Sequence, residues 1–257
     1  MRKNNTQTSG TIGATRKSFA ILEQLAQHGQ TGVSTLATEL GYSKSTVHNH
    51  LQTLHELGYV TANDGEYGLS VRFLGLGDRA RQRHDLYYVA KREVDDMVDA
   101  VGERGQVMVR EGNTGVYIYQ SSADQAIRTD SHIGTTVALH ATAVGKAYLS
   151  QLPDSERDAL LSELEMGDKT PYTLTDRKTL ESELDEIAER GYAFNDEERT
   201  IGMRAVGAPI CSADGKVIGS LSISGPTTRM TGTWFREEVP EIVEQAAQVI
   251  GIKATYS

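Results

Sequence analysis

The sequence predicts an α+β chain in two parts: a small N-terminal head of three helices closed by a β-hairpin, and a larger C-terminal unit of mostly antiparallel strands flanked by helices. Three observations carry this. Apolar residues from Phe19 to Leu57 recur at helical spacing and are interrupted at glycines. The stretch YVTANDGEYGLS holds two short alternating runs around Asn63-Asp64-Gly65, a strong hairpin signal. From Gln106 the apolar period changes to two, in QVMVREG, GVYIYQS, YAFNDEE, AVGAPIC and VIGSLSIS. Helical stretches fall between these runs, at about 142–151, 154–163, 176–190 and 234–250.

Residues 1–13 are polar and offer little to bury, so they are expected to form a disordered tail. Phe19, Ile21, Leu22 and Leu25 then mark an amphipathic helix from Thr15 that ends near His28-Gly29. Ser34 is the expected N-cap of a second, short helix carrying Leu36, Ala37 and Leu40 and closed by Gly41. Ser43 caps a third, whose buried stripe is read as Val47, Leu51, Leu54 and Leu57. That stripe leaves Lys44, Ser45, His48, Asn49 and Gln52 facing outward. His48, His50 and His55 lack the i, i+4 spacing of a metal pair and read as solvated or groove-facing.

Helix, short helix, glycine turn, polar-headed helix and an Asp-Gly hairpin form, in that order, a winged helix-turn-helix at 14–75. Small donors and acceptors at the start of the third helix can approach base edges and phosphates, and the helix dipole favours phosphate. Residues 76–102 are read as a linker of one or two helices, in which Arg79, Arg81 and Arg83 either reach phosphate or form a solvated face, the latter being favoured. The sheet-forming unit occupies 103–257.

The net charge of -9 is unevenly distributed. Residues 1–90 hold 9 Lys+Arg against 7 Asp+Glu, and the remainder hold 17 against 28. Nucleic-acid contact is therefore expected of the N-terminal third, where phosphate meets no strong repulsion. The acidic, lysine-poor composition also fits a salt-rich cytoplasm. A single cysteine, Cys211, leaves no internal disulfide, and no Cys/His spacing fits a metal. No run approaches the length of a membrane span, so a cytoplasmic protein is expected.

No nucleophile elbow, phosphate loop, HExxH or dinucleotide fingerprint is present, so neither catalytic residues nor a cofactor are expected. Gly145-Lys146 lacks the upstream glycine of a phosphate loop and reads as a helix interior where glycine allows close packing. In SLSIS, alternation puts Ser220, Ser222 and Ser224 on one face of a strand and Leu221 and Ile223 on the other. The serine face either lines a cavity, where its hydroxyls can donate to a small anion or polyol, or faces water.

Taken together, KSFAILEQLA, SKSTVHNHLQTL with LGYV, YGLSVRFLGLG, LHATAVGKAYL, GYAFNDEE with GMRAVGAPI, and SLSISGPTTRM make the chain resemble the IclR family of transcriptional regulators from residue 14 onward. The resemblance implies a C-terminal effector-binding domain of GAF-like fold, and homodimers that pair into tetramers on double-stranded operator DNA. It implies a DNA-reading helix from Ser43 to Gln52, with phosphate contacts from Lys44, Ser45 and Thr46, base readout from His48 and Asn49, and the Asp64-Gly65 wing beside the minor groove or backbone. Arg is common in the family where this chain has Asn49, and Asn pairs with adenine where Arg prefers guanine. The family's effector pocket maps onto Ala143, Val144, Asn195, Ala205, Ser222 and Ser224. The glyoxylate-responsive type carries Asp and Cys at the positions of Asn195 and Ala205, so a different small organic or sugar-derived acid is expected here. The implied function is control of catabolic or metabolic genes by such an acid. Two other functions stay open: an oligomeric DNA-binding scaffold without a ligand, or an enzyme domain fused to a DNA-binding head.

Overall fold

The computed structural model describes residues 10–127 and 129–256, so the expected tail falls, up to residue 9, outside the described residues. The chain forms two compact units, which divide between Ala80 and Arg81.

In the first unit, helix α1 (Gly13–His28) is followed by β1 (Thr31–Gly32), α2 (Val33–Leu40), α3 (Lys44–Glu56) and the hairpin β2 (Val60–Asn63) and β3 (Glu66–Leu69). Ile21, Leu22, Leu25, Leu36, Ala37, Val47, Leu51, Leu54 and Val60 form its core. Three expectations change. Ser34 lies inside α2, and Gly32 holds the N-cap without a side-chain bond. Leu57 is 55% exposed, because α3 ends at Glu56 and the chain turns away at Gly58, where φ is +77°. The Arg72 guanidinium closes this helix end instead, donating to the Leu57 carbonyl at 2.7 Å and stacking over Tyr59. The hairpin also gains a third strand, since β1 pairs with β3 through Thr31 and Gly32. Two residues are too few to show a period, which is why this strand could not be read in advance.

The segment expected as a linker of one or two helices contains two. The first, α4 (Arg72–Arg81), buries none of its residues, and the second is α5 (Leu86–Val101). At the end of α4, Arg81 folds over the Tyr87 ring, 4.1 Å from its centroid, so it is committed to packing rather than lying on a solvated face.

The second unit is a six-stranded antiparallel sheet in the order β6-β5-β4-β9-β8-β7. Its strands are β4 (Arg104–Glu111), β5 (Thr114–Ser122), β6 (Thr136–Ala138), β7 (Ala193–Asp196), β8 (Met203–Cys211) and β9 (Val217–Pro226). Helix α5 and the terminal helix α9 (Val239–Thr255) cover one face, packing on Val107, Val109, Leu221 and Ile223. The other face carries α6 (Ala143–Ser150), α7 (Asp154–Glu163) and α8 (Arg177–Arg190), packed on Met108, Tyr117 and Val217. The alternation read in SLSIS thus separates two buried faces: Leu221 and Ile223 enter one core, and the serines point toward α6.

Candidate nucleic-acid interface and ligand cavity

The start of α3 is built by its own cap. Ser43 has extended backbone and its hydroxyl accepts from the Thr46 amide at 3.1 Å, satisfying one of the donors a helix start leaves open. Ser45 and Thr46 hydroxyls lie 3.0 and 2.8 Å from the same oxygen. Lys44, Ser45, His48 and Asn49 are exposed, while Val47, Leu51 and Leu54 anchor the opposite face. His50 and His55 are structural fasteners rather than groove-facing groups. The His50 ring meets the Ser18 hydroxyl at 2.8 Å, tying α3 to α1, and His55 meets the Val60 carbonyl at 3.0 Å. At the hairpin tip Asp64 and Gly65 both have positive φ, +49° and +84°, as a two-residue hairpin turn requires. Both are exposed. The structure therefore presents one small polar surface, the start of α3, and one exposed wing.

The second site begins with the sheet register. Residues directly opposite across an antiparallel ladder share a face. Asn195 pairs with Ala205, Ala205 with Ser224, and Ser224 with Arg104. The next row on that face is Gly207, Ser222, Gln106 and Gln120. Over these rows lies the start of α6, all eight residues of which are buried. Two glycines permit the approach. A Cβ on Gly207 would sit 2.8 Å from the Ala143 carbonyl carbon, and one on Gly145 would sit 2.2 Å from the Leu139 carbonyl oxygen. The close packing expected at Gly145 is thus what the fold contains.

Between helix start and sheet is a cavity of about 50 Å³, counted as the space the centre of a water molecule can occupy. That is room for more than one water molecule. Ala143, Val144, Asn195, Ala205, Ser222 and Ser224 all line it. Ser220 does not, because its hydroxyl is spent on the Val144 carbonyl at 2.8 Å. Thr142 caps α6 by accepting from the Gly145 amide at 3.1 Å, and the amides of the first turn have no acceptor within the helix. The positive end of the helix dipole therefore faces the cavity. Asn195 donates to the Ala141 carbonyl at 2.9 Å and keeps its side-chain oxygen and second N–H for other partners.

The cavity has a second wall that sequence reasoning missed, formed by Thr129, Asp130 and Ser131 with Arg199, Tyr117 and Gln106. Arg199 donates to the Ser131 hydroxyl at 2.7 Å and lies 3.8 Å from the Asp130 carboxylate. Burial raises the Tyr117 phenol, opposed by the Arg199 charge. Neither the 129–131 loop nor Arg199 sits in a periodic stretch. Gln106 could have been found from the register opposite Ser222, but register is a long-range property.

Lys146 lies one turn into α6 and is fully buried, with its ammonium 2.6 Å from Glu198 and 2.8 Å from Glu183. Burial pushes the Glu198 carboxyl up and the Lys146 charge opposes this. An amine held between two carboxylates anchors the segment that carries Arg199; it is not a nucleophile poised for reaction. Among the described residues, no group of three or more His, Cys, Asp and Glu is placed to hold a metal ion. No helix among them is long and apolar enough to cross a membrane.

Two family models match this chain: the IclR helix-turn-helix domain over residues 14–64, and the bacterial transcriptional regulator IclR C-terminal domain over residues 79–252. A probable HTH-type transcriptional regulator ArcR from Halobacterium salinarum is 31% identical, over 91% of this chain and 90% of that one. The crystal structure of the Thermotoga maritima IclR superposes with a TM-score of 0.80 at 31% identity, over 94% of this chain and 98% of that one. An IclR homologue from Microbacterium hydrocarbonoxydans, crystallised with 4-hydroxybenzoate, shares the fold with a TM-score of 0.78 at 22% identity, covering 95% of this chain and 99% of that one.

Proposed function

This chain belongs to the IclR family of transcriptional regulators, and from that premise we propose that it binds operator DNA through α3 and the wing under the control of a small organic or sugar-derived acid held in the cavity of the C-terminal unit. The family is one of DNA-binding regulators rather than enzymes, so no residue is given a catalytic role. The observation that carries the reading is the cavity itself. It gathers Asn195, Ser222 and Ser224 under a helix start, with neutral donors on one side and a guanidinium on the other. Such a constellation suits a carboxylate, and the 4-hydroxybenzoate bound by a protein of the same fold is a carboxylate too. A cavity lined by Ser222 and Ser224 also weighs against a ligand-free scaffold.

On DNA, Lys44, Ser45 and Thr46 contact phosphate, His48 and Asn49 read base edges, and Asp64-Gly65 lies along the neighbouring backbone or minor groove. A homodimer, or a dimer of such dimers, sets two α3 helices about one DNA turn apart. The acid acts by preferring one arrangement of the chain over another, and it shifts operator affinity only by that preference. The test is fluorescence anisotropy of the full chain on the DNA upstream of its own gene, across salt, with and without a panel of small acids. Specific binding shifted by one acid is the expected result. Specific binding that no acid shifts would remove effector control, and no specific binding at any salt would remove the regulator reading itself.

A further inference from the structure

The cavity wall built from Thr129, Asp130, Ser131 and Arg199, together with Arg104, which bonds to Thr129 without lining the cavity, carries an excess of positive charge among the described residues. Arg104 is 6% exposed and lies in the same cross-strand row as Ser224, Ala205 and Asn195. Its guanidinium donates to three neutral oxygens: the Ser122 hydroxyl at 3.3 Å, the Ile127 carbonyl at 2.8 Å and the Thr129 hydroxyl. Arg199 reaches the same loop, donating to Ser131 and facing Asp130. Asp130, the carboxylate that faces Arg199 among the described residues, has a side chain 86% exposed and stands 3.8 Å from it, a separation that leaves the ion pair loose. Arg204, the other arginine on the cavity wall, is already engaged, 2.6 Å from Asp196. Among the described residues, two guanidiniums, one of them buried, thus share a single weakly held and largely solvated negative charge. Burying a cation without a counter-charge is costly, and an anion entering beside Thr129 and Ser131 relieves that cost.

We propose that Arg199 is the specificity-determining residue of the cavity, and that it selects acids bearing a second anionic group, which replaces Asp130 as its partner while the first group sits at the start of α6. This rests on the ligand-binding reading above and narrows it from small acids in general to small acids with two anionic groups, called dianions here whatever the charge on the second group. The second group is either a carboxylate or a phosphate, since both offer anionic oxygens to a guanidinium. The exchange also gives the ligand a handle on the 129–131 loop, because Arg199 holds that loop through Ser131 until the anion takes its place.

Isothermal titration of the full-length protein tests this with matched pairs: malate against lactate, oxaloacetate against pyruvate, and 3-phosphoglycerate against glycerate. At least one dianion is expected to bind ten- to a hundredfold more tightly than its monoanionic partner, the worth of a charge-assisted hydrogen bond. Which pair responds distinguishes carboxylate from phosphate. Arg199→Gln is expected to bring the ratio close to one and Arg199→Lys to retain part of it. Asp130→Asn, which removes the internal competitor at an exposed position, is expected to tighten dianion binding. Equal affinities within every pair, a ratio unchanged in Arg199→Gln, or no dianion binding at all would overturn the inference. Operator binding is measured on the same samples. Dianion binding that leaves operator affinity unchanged would preserve the inference and remove effector control; acid control by monoanions alone would do the reverse.

Discussion

Helices α3 and α6 start in the same way and end up with opposite roles. Each is capped by a hydroxyl, Ser43 or Thr142, that accepts from the amide three residues on at 3.1 Å. Each leaves first-turn amides aimed outward, with the positive end of a helix dipole behind them. The start of α3 lies in solvent among Lys44, Ser45 and Asn49, on a unit whose core is small. The start of α6 is buried between a sheet and Leu139, brought there by Gly145 and Gly207. In the proposed function an anion meets each of them, and burial decides which anion. An exposed helix start suits a polyanion that brings its own surface, and an enclosed one suits a molecule small enough to be swallowed.

The largest expected effect separates the two units. Lys146→Met leaves Glu198 and Glu183 without their buried partner and is expected to destabilise the C-terminal unit by about 3 kcal/mol or more. Urea unfolding followed at Trp234, which lies in that unit, should show the loss. A change under about 1 kcal/mol would mean that the triad is incidental to the fold. Next comes Ser222→Leu, which puts three carbons in place of one hydroxyl oxygen beside a cavity of about 50 Å³. It should abolish acid binding by calorimetry and leave ligand-free operator affinity within about twofold, for roughly 1–3 kcal/mol of overpacking. On the α3 side, Asn49→Arg should move base preference from adenine toward guanine by about 1–3 kcal/mol in a competition assay against operator variants. An unchanged preference would remove Asn49 from base readout.

The caps sharpen the contrast directly. Ser43→Ala is expected to cost about 1 kcal/mol. Thr142→Ala should cost about 2 kcal/mol, because Thr142 is buried and also donates to the Ala138 carbonyl at 3.0 Å. Equal losses would mean that the surroundings of the two caps do not matter. The smallest effect concerns His140, 1% exposed, whose imidazole burial holds below its ordinary value while Nε2 meets the Gly167 carbonyl at 3.0 Å. The unfolded chain takes up that proton first, so this histidine's contribution to stability is present above its unfolded value of about 6.5 and is lost as pH falls below it. His140→Gln should flatten the dependence of stability on pH between about 7 and 5.5.

What the sequence disclosed follows from the range of the forces involved. Ser43 as a cap, the Asp64-Gly65 turn and the serine alternation are local, and each is found where local rules put it. Asn195, Ala205 and Ser224 were named by likeness to a family, and the register explains why they belong together: they are neighbours in one cross-strand row. Arg104 is the fourth member of that row and went unnamed, because nothing around Arg104 in sequence points to Ser224. Arg199 and the 129–131 loop are placed by tertiary contacts with no periodicity to betray them. Leu57 fitted the helical period and failed because the helix stopped one residue short of it.

The most direct test of control by the cavity is reciprocity. Titrating the most responsive acid into the full chain, free and saturated with operator, measures whether DNA changes the acid's affinity. Linkage requires the same factor by which the acid changes DNA affinity, expected at about 5- to 150-fold. Matching factors would establish that the cavity and α3 are coupled; an acid affinity indifferent to operator would contradict it.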